Sequence, residues 1–460
     1  MRMHFFIVPF VFIVNGCSFV PHYEKPMTNA DNVQTLFKGA GYGCLMLHDL
    51  ISTDKNLKLV LEMALKNNYD IKESAIKLRL SERQKLSSVL DLIPSANVTV
   101  GKSISMSNSV SLFTGETIKQ RSSVYKSSLG IDSYEVDIWG KKLSQIDSLN
   151  HEESSYLYAS EAMRLTLMSD LASTWYETLS LIKLWHILDN KVKLLSGIED
   201  KLSGLKKIGR LDTLIYTKFL RGYNTDKVSS VKLRKQIINN IHKLEYLSGF
   251  KSPYLNVESW SEISGDYKTE VVSQEIKSDV VFSRPDVLME EEKLKSANGN
   301  IGLARASFFP VVNIFAQTGK TSPAFRNVLS NLDESWNLTP SVIIPVFSLP
   351  TLINNLELAH SQQVLALNSY RKAVASAMKD ISDSVNDMAS FAEIVSALTV
   401  ETRVHRNTFR QVMLQYEAGY LDLYSYYEAI DAISTSEIEL ESNRQLLMNS
   451  TIVVLKSIGG

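Results

Sequence analysis

Residues 417–426 read EAGYLDLYSY and residues 207–216 read KIGRLDTLIY, so Gly419 lies over Gly209, Leu421 over Leu211 and Asp422 over Asp212 at one offset of 210. Each stretch interrupts a long helical pattern with a glycine. Ahead of Gly209 the apolar positions run from Leu165 through Leu171, Trp175, Trp185 and Leu195 to Leu205 with gaps of only 3 and 4, the seam of a sustained coiled coil. A helix from Lys141 to Lys207 extends on the order of 100 Å at about 1.5 Å per residue. Gly209 ends it, and a return helix is expected from about Asp212 to Leu247. The second stretch predicts the same plan: a helix from about Thr351 through Tyr416, a reversal at Gly419, and a return to Leu455. A glycine in the left-handed conformation is the ordinary way to end such a helix.

Working outward, the duplication extends over most of the chain. NNYDIKESAIKLRLS (67–81) lies over SRPDVLMEEEKLKSA (283–297), and DLIPSANVTV (91–100) over SFFPVVNIFA (307–316), with Asp70 over Asp286 and Pro94 over Pro310 at an offset of 216. Trp139 meets Phe347 at 208. Four anchors in one order with nearly one offset define an internal repeat. In each copy a helix of about two dozen residues stops before the proline. A strand alternating apolar with polar or small residues follows, with Val98, Val100, Ile104 and Met106 in the first copy and Val312, Ile314 and Ala316 in the second. A polar loop then leads to a second strand ending near Trp139 or Phe347. The expected organisation is 53–250 for the first repeat, with strands at about 95–138 and a helical hairpin at 141–248. A linker covers 251–282, and the second repeat covers 283–460, with strands at about 310–347 and a hairpin at 351–456.

The chain opens MRMHFFIVPFVFIVNGCS: a basic start, an apolar run from Phe5 to Val14, then Asn15-Gly16-Cys17. Ten apolar residues are too few to span a bilayer, so residues 1–16 read as a signal peptide that is removed. Small residues before a cysteine resemble a bacterial lipobox, in which Cys17 becomes the lipidated, palmitate-carrying N-terminus of an extension over 17–52. Ser18 after the cysteine then implies sorting to the outer membrane. The alternative is an ordinary signal peptide containing a cysteine. Cys17 and Cys44 are the only two cysteines, too few for a disulfide framework or cysteine-rich metal site.

Beyond the leader no window is long and apolar enough for a transmembrane helix, so any crossing must use strands. An open four-stranded sheet leaves edge groups unsatisfied in lipid. Three copies would close about twelve strands around a bore, whereas eight strands are normally filled by side chains. Symmetric closure therefore favours a homotrimer. The 49 basic and 50 acidic residues leave no uniform basic face for nucleic acid.

SYEVDIWGKK, SRPDVLMEEEKLKSANGNIGLARASFFP, WNLTPSVIIPVF and YEAGYLDL together resemble the outer-membrane factor family typified by TolC. CSFVPHYEKP and ALKNNYDI resemble its lipoprotein branch, and the resemblance covers nearly everything from Cys17. It implies a homotrimer: a twelve-stranded outer-membrane β-barrel, four strands per chain, continued by a long periplasmic α-helical coiled-coil barrel. It further implies an exit duct for small molecules that works with a periplasmic adaptor and an inner-membrane pump, expected to be of the resistance-nodulation-division type. Alternatives are a type I protein-secretion duct and a lipid-anchored coiled-coil scaffold without a bore.

Under the resemblance, Gly209, Leu211 and Asp212 and Gly419, Leu421 and Asp422 form adaptor-facing tips. Tyr416, Tyr420, Tyr424 and Glu428 form a candidate periplasmic gate, with Ser425 where some members carry an acid. The spacing of Tyr416, Tyr420, Tyr424 and Tyr427 is 4, 4 and 3, which on an unbroken helix is one face. Enzymatic readings find no support. The histidines at 151, 186, 242, 360 and 405 are scattered without metal-site pairing, there is no phosphate-cradling loop, and neither a catalytic residue, a metal nor a cofactor is expected.

Overall fold

A computed structural model describes residues 19–28, 35–37, 47–110, 117–250, 276–323, 325 and 334–459. Cys17 and Cys44 fall outside these residues. In chain order the elements are β1 (Thr35–Phe37), α1 (Leu47–Thr53), α2 (Lys55–Asn67), α3 (Tyr69–Leu90), β2 (Asn97–Val110), β3 (Thr117–Val136), α4 (Lys141–Lys207) and α5 (Thr213–Ser248). Then come β4 (Ile276–Lys277), α6 (Val280–Ser283), α7 (Pro285–Ala306), β5 (Val311–Ser322), β6 (Glu334–Ile343), α8 (Leu349–Glu417) and α9 (Leu423–Ser457). Two compact units cut across the two repeats: Met1–Pro26, Arg79–Ser155 and Glu291–Ser369 form one, and Met27–Leu78, Tyr156–Glu290 and Tyr370–Gly460 the other.

The first unit is organised on an antiparallel sheet of order β2-β3-β5-β6. Its register places Val98 opposite Leu129, Leu129 opposite Thr318, and Thr318 opposite Trp336. The next rows are Ile131, Ala316 and Leu338, then Tyr134, Ile314 and Pro340, then Val136, Val312 and Val342. Side chains alternate along a strand, so all these rows share one face. A bulge between Ile131 and Tyr134 adds one residue to β3 and switches its parity, which keeps Tyr134 and Val136 on the face of Leu129 and Ile131. The opposite face presents Asn97, Thr99, Ser103, Ser105, Ser128, Gln317, Asn337 and Thr339. Hydrogen bonds from Lys126 Nζ to Gln317 Oε1 (2.7 Å) and from Gln317 Nε2 to Ser128 Oγ (2.8 Å) knit this polar side.

The apolar face is uncovered, with Val98 73%, Met106 69% and Trp336 79% exposed. Both strand pairs end earlier than Trp139 and Phe347. After Val136, the Asp137 carboxylate accepts from the Leu143 N–H (3.0 Å) at the start of α4, and Trp139 Nε1 donates to the Pro310 carbonyl (2.8 Å), joining the end of β3 to the start of β5.

The second unit is helical apart from the short antiparallel pair β1–β4, with its core where α1, α2, α4, α5 and α9 meet. Leu47, Ile51, Leu57, Leu171, Trp175, Leu244 and Ile452 are buried there. The apolar seam of α4 supplies Leu171, Trp175, Leu179 and Ile182, as its 3-and-4 spacing requires. Asp54 caps α2, accepting from the Asn56 and Leu57 N–H groups (2.9 and 3.2 Å), and also takes the Trp175 indole N–H (2.9 Å). One carboxylate thus fixes a helix start and satisfies a buried donor.

Candidate functional site

The two reversals are closed by the same pair of backbone bonds. At the end of α4 the Gly209 N–H donates to the Lys206 carbonyl (3.0 Å) and the Arg210 N–H to the Leu205 carbonyl (2.9 Å). At the end of α8 the Gly419 N–H donates to Tyr416 (3.0 Å) and the Tyr420 N–H to Gln415 (2.8 Å). These pairs are Schellman closures, which require a left-handed residue at the glycine position; φ is 71° at Gly209 and 77° at Gly419. Three residues on, an aspartate opens the return helix. Asp212 Oδ1 accepts from the Leu214 N–H (2.6 Å) and Asp422 Oδ1 from the Ser425 N–H (2.7 Å), each satisfying one orphan donor of a helix start. Glycine and aspartate are therefore both explained by the chain reversal itself. Leu211 packs at the edge of the aromatic cluster behind the turn.

The reversal also redistributes the tyrosines. Tyr416 lies in the last turn of α8, Tyr420 in the turn, and Tyr424 and Tyr427 in α9, so these four do not form one helical face. The helix breaks between Glu417 and Leu423, and spacing cannot be carried through a break. Tyr416 instead stacks on Tyr426 across the hairpin (centroids 4.8 Å apart, planes at 3°), and Tyr426 stacks on Phe409 (6.1 Å). Tyr427 meets the Phe219 ring edge-on (5.0 Å) and Tyr424 (5.7 Å). Burial, then the carboxylates of Asp431 and Asp226, push the Tyr427 hydroxyl up to about 12. Tyr420 is 83% exposed, and Glu428 is exposed too. Among the gate candidates, therefore, Tyr416 and Tyr424 are engaged within the chain, and Tyr420 and Glu428 face outward.

Behind this cluster lies a charge set that single-helix patterns could not reveal. Lys191 of α4, its side chain 4% exposed, binds Asp226 of α5 (2.8 Å) and Asp431 of α9 (2.6 Å). Burial alone would lower the lysine's pKa, but hydrogen bonds to both carboxylates carry it above its ordinary value. The three partners come from three helices and both repeats, at sequence separations that leave no local signal. At the offset that carries Gly209 to Gly419, Asp226 falls on Ser436. There the second repeat has a neutral pair, Thr402 Oγ1 and Ser436 Oγ at 2.8 Å. No cluster of three or more His, Cys, Asp or Glu side chains able to hold a metal occurs among the described residues.

The family described as "Outer membrane efflux protein" matches residues 278–460. A probable efflux pump outer membrane protein, TtgC of Pseudomonas putida, is 23% identical over 458 residues, covering 98% of this chain and 93% of that protein. A probable outer membrane lipoprotein, SilC of Salmonella typhimurium, is 23% identical over 457 residues, covering 96% and 93%. Among solved structures, the open state of the Neisseria gonorrhoeae MtrE outer membrane channel shares the fold with a TM-score of 0.82 at 21% identity, covering 96% of this chain and 98% of that one. Residues 278–460 thus match the outer membrane efflux protein family, and the chain as a whole has the fold of solved outer-membrane channels.

Proposed function

We propose that the protein is the outer-membrane exit duct of a tripartite efflux system, a passive path for small molecules driven by an inner-membrane pump. The observation that carries the reading is the four-stranded sheet with one apolar and one hydroxyl- and amide-rich face. Lipid requires the first and a water-filled bore the second. The free edges of β2 and β6 require pairing before the sheet can enter a bilayer, and a homotrimer supplies it with twelve strands. The repeats at 53–250 and 283–460 then contribute one helical hairpin each to the periplasmic part, six in the assembly.

Acylated Cys17 would add an anchor, in keeping with the lipoprotein name of the Salmonella relative. The reversals at Gly209–Asp212 and Gly419–Asp422 present exposed turns suited to an adaptor hairpin, and Tyr420 and Glu428 are the gate candidates free to act between copies. The antibiotic and toluene efflux names of relatives favour small-molecule cargo, and the pump we propose is of the resistance-nodulation-division type. The duct performs no catalysis on this reading.

Reconstitution in a planar bilayer tests it. Purified trimers should conduct, with Glu428→Gln lowering cation preference, because three carboxylates near one axis favour cations. Well-formed trimers that pass no current, including when Tyr416 or Glu428 is replaced, would instead indicate a scaffold without a bore.

A further inference from the structure

The outward face of the sheet carries charges that contact with hydrocarbon does not explain. Of the lysines and arginines in β2, β3, β5 and β6, Lys102, Lys119, Arg121 and Lys320 stand on the apolar face and only Lys126 on the polar one. Cations placed only for solubility would favour the wet side. Their heights are informative. Successive rows on one face lie about 6.8 Å apart along a strand, or roughly 5 Å in height at the tilt of a membrane barrel. Counting from the Val136, Val312 and Val342 row, Lys320 (opposite Ser127) and Lys102 (opposite Tyr125) fall at about 20–25 Å, the far end of an apolar band of about 25 Å. Arg121 (opposite Met106) and Lys119 (opposite Asn108) lie beyond it.

Lys102 is set in an aromatic girdle: its ammonium lies 5.0 Å from the Tyr125 ring centroid, and Tyr125 meets Phe325 edge-on at 5.5 Å. The near end of the sheet differs. There Lys141 binds Glu135 (3.1 Å), and Lys142 donates to the carbonyls of Asp91 (2.8 Å) and Glu135 (3.0 Å). Near-end cations are spent within the chain. On the outward face at the far end, the registered strands bring four cations and one acid, Glu334, opposite Lys320.

We propose that Lys102, Lys119, Arg121 and Lys320 form a rim that binds the phosphate groups of outer-leaflet lipid headgroups. This rests on the sheet being a membrane barrel wall. Each cation near an anionic lipid surface changes association about five-fold, so four per chain and three chains make a strongly selective collar, sensitive to salt.

The test follows heat dissociation of the full-length trimer in detergent with added diphosphorylated lipid A, with its dephosphorylated form, or with inorganic phosphate. The phosphorylated lipid should raise the midpoint by at least about 3 °C, and the other two should not. The variant K102Q/K119Q/R121Q/K320Q should lose the rise; if it does not assemble, the more distal K119Q/R121Q should lose most of it. An equal rise with dephosphorylated lipid, an equal rise with inorganic phosphate, or an undiminished rise in the variants would overturn the proposal. A wild-type protein that never enters a bilayer would overturn the barrel reading instead.

Discussion

Gly209 and Gly419 hold φ values of 71° and 77° with open space where a Cβ would sit, so their cost of substitution is conformational, free of clash. Alanine at either position should destabilise the protein by about 1–2 kcal/mol, the left-handed penalty for an L-residue, measured as a shift in denaturant midpoint. A combined Gly209→Ala/Gly419→Ala variant should lose nearly the sum, because neither added Cβ meets anything within 4 Å and each penalty is local. Lys191 differs in kind. Lys191→Met would leave Asp226, its side chain 17% exposed, without its cation, at about 3 kcal/mol. Asp431→Asn should cost about 1 kcal/mol, because the Asp431 side chain is 48% exposed and solvent screens the pair. The lysine's pKa is raised on folding, so this stability is complete below the unfolded value of about 10.4 and fades only as pH climbs through the folded one. Unfolding at neutral pH and above pH 10 should show the difference between wild type and Lys191→Met shrinking in alkali.

At the scale of elements, the glycine-aspartate turns and the 3-and-4 seam of α4 were legible in sequence because their causes are local. A left-handed residue, a cap and a helical period each lie within a few neighbours. The two faces of the sheet were legible in β2, where Val98 to Met106 alternate simply. β3 was harder to read, because its bulge reverses the parity halfway and Leu129, Ile131, Tyr134 and Val136 share a face without sharing a period. The tyrosines misled for the opposite reason: a regular spacing ran through a helix break that the same glycine announced. The Lys191 set and the Asp54–Trp175 bond were invisible, since partners 240 and 121 residues away are chosen by packing. Rim cations, too, become a group only when register aligns three strands.

For the whole molecule, the duplication is imperfect where it counts mechanically. Asp226, bound to Lys191 in the first repeat, is matched by Ser436, bound to Thr402 in the second. Of the other links between α8 and α9, Arg406 to Glu437 at 2.7 Å is exposed and adds little, and the Tyr416–Tyr426 stack lies at the turn itself. Three copies would then close a ring of six hairpins in which three members held internally by a buried ion pair alternate with three more compliant ones, whose α9 is tied across to Lys191 through Asp431. Such a ring does not dilate like an iris with six equal leaves; its compliant helices yield first, and the aperture widens as a triangle. Spin labels at the three copies of Arg210 should keep their separations when the tip is driven open, while labels at the three copies of Tyr420 move apart. Equal displacement at both positions would show that the hydroxyl pair is as stiff as the ionic one.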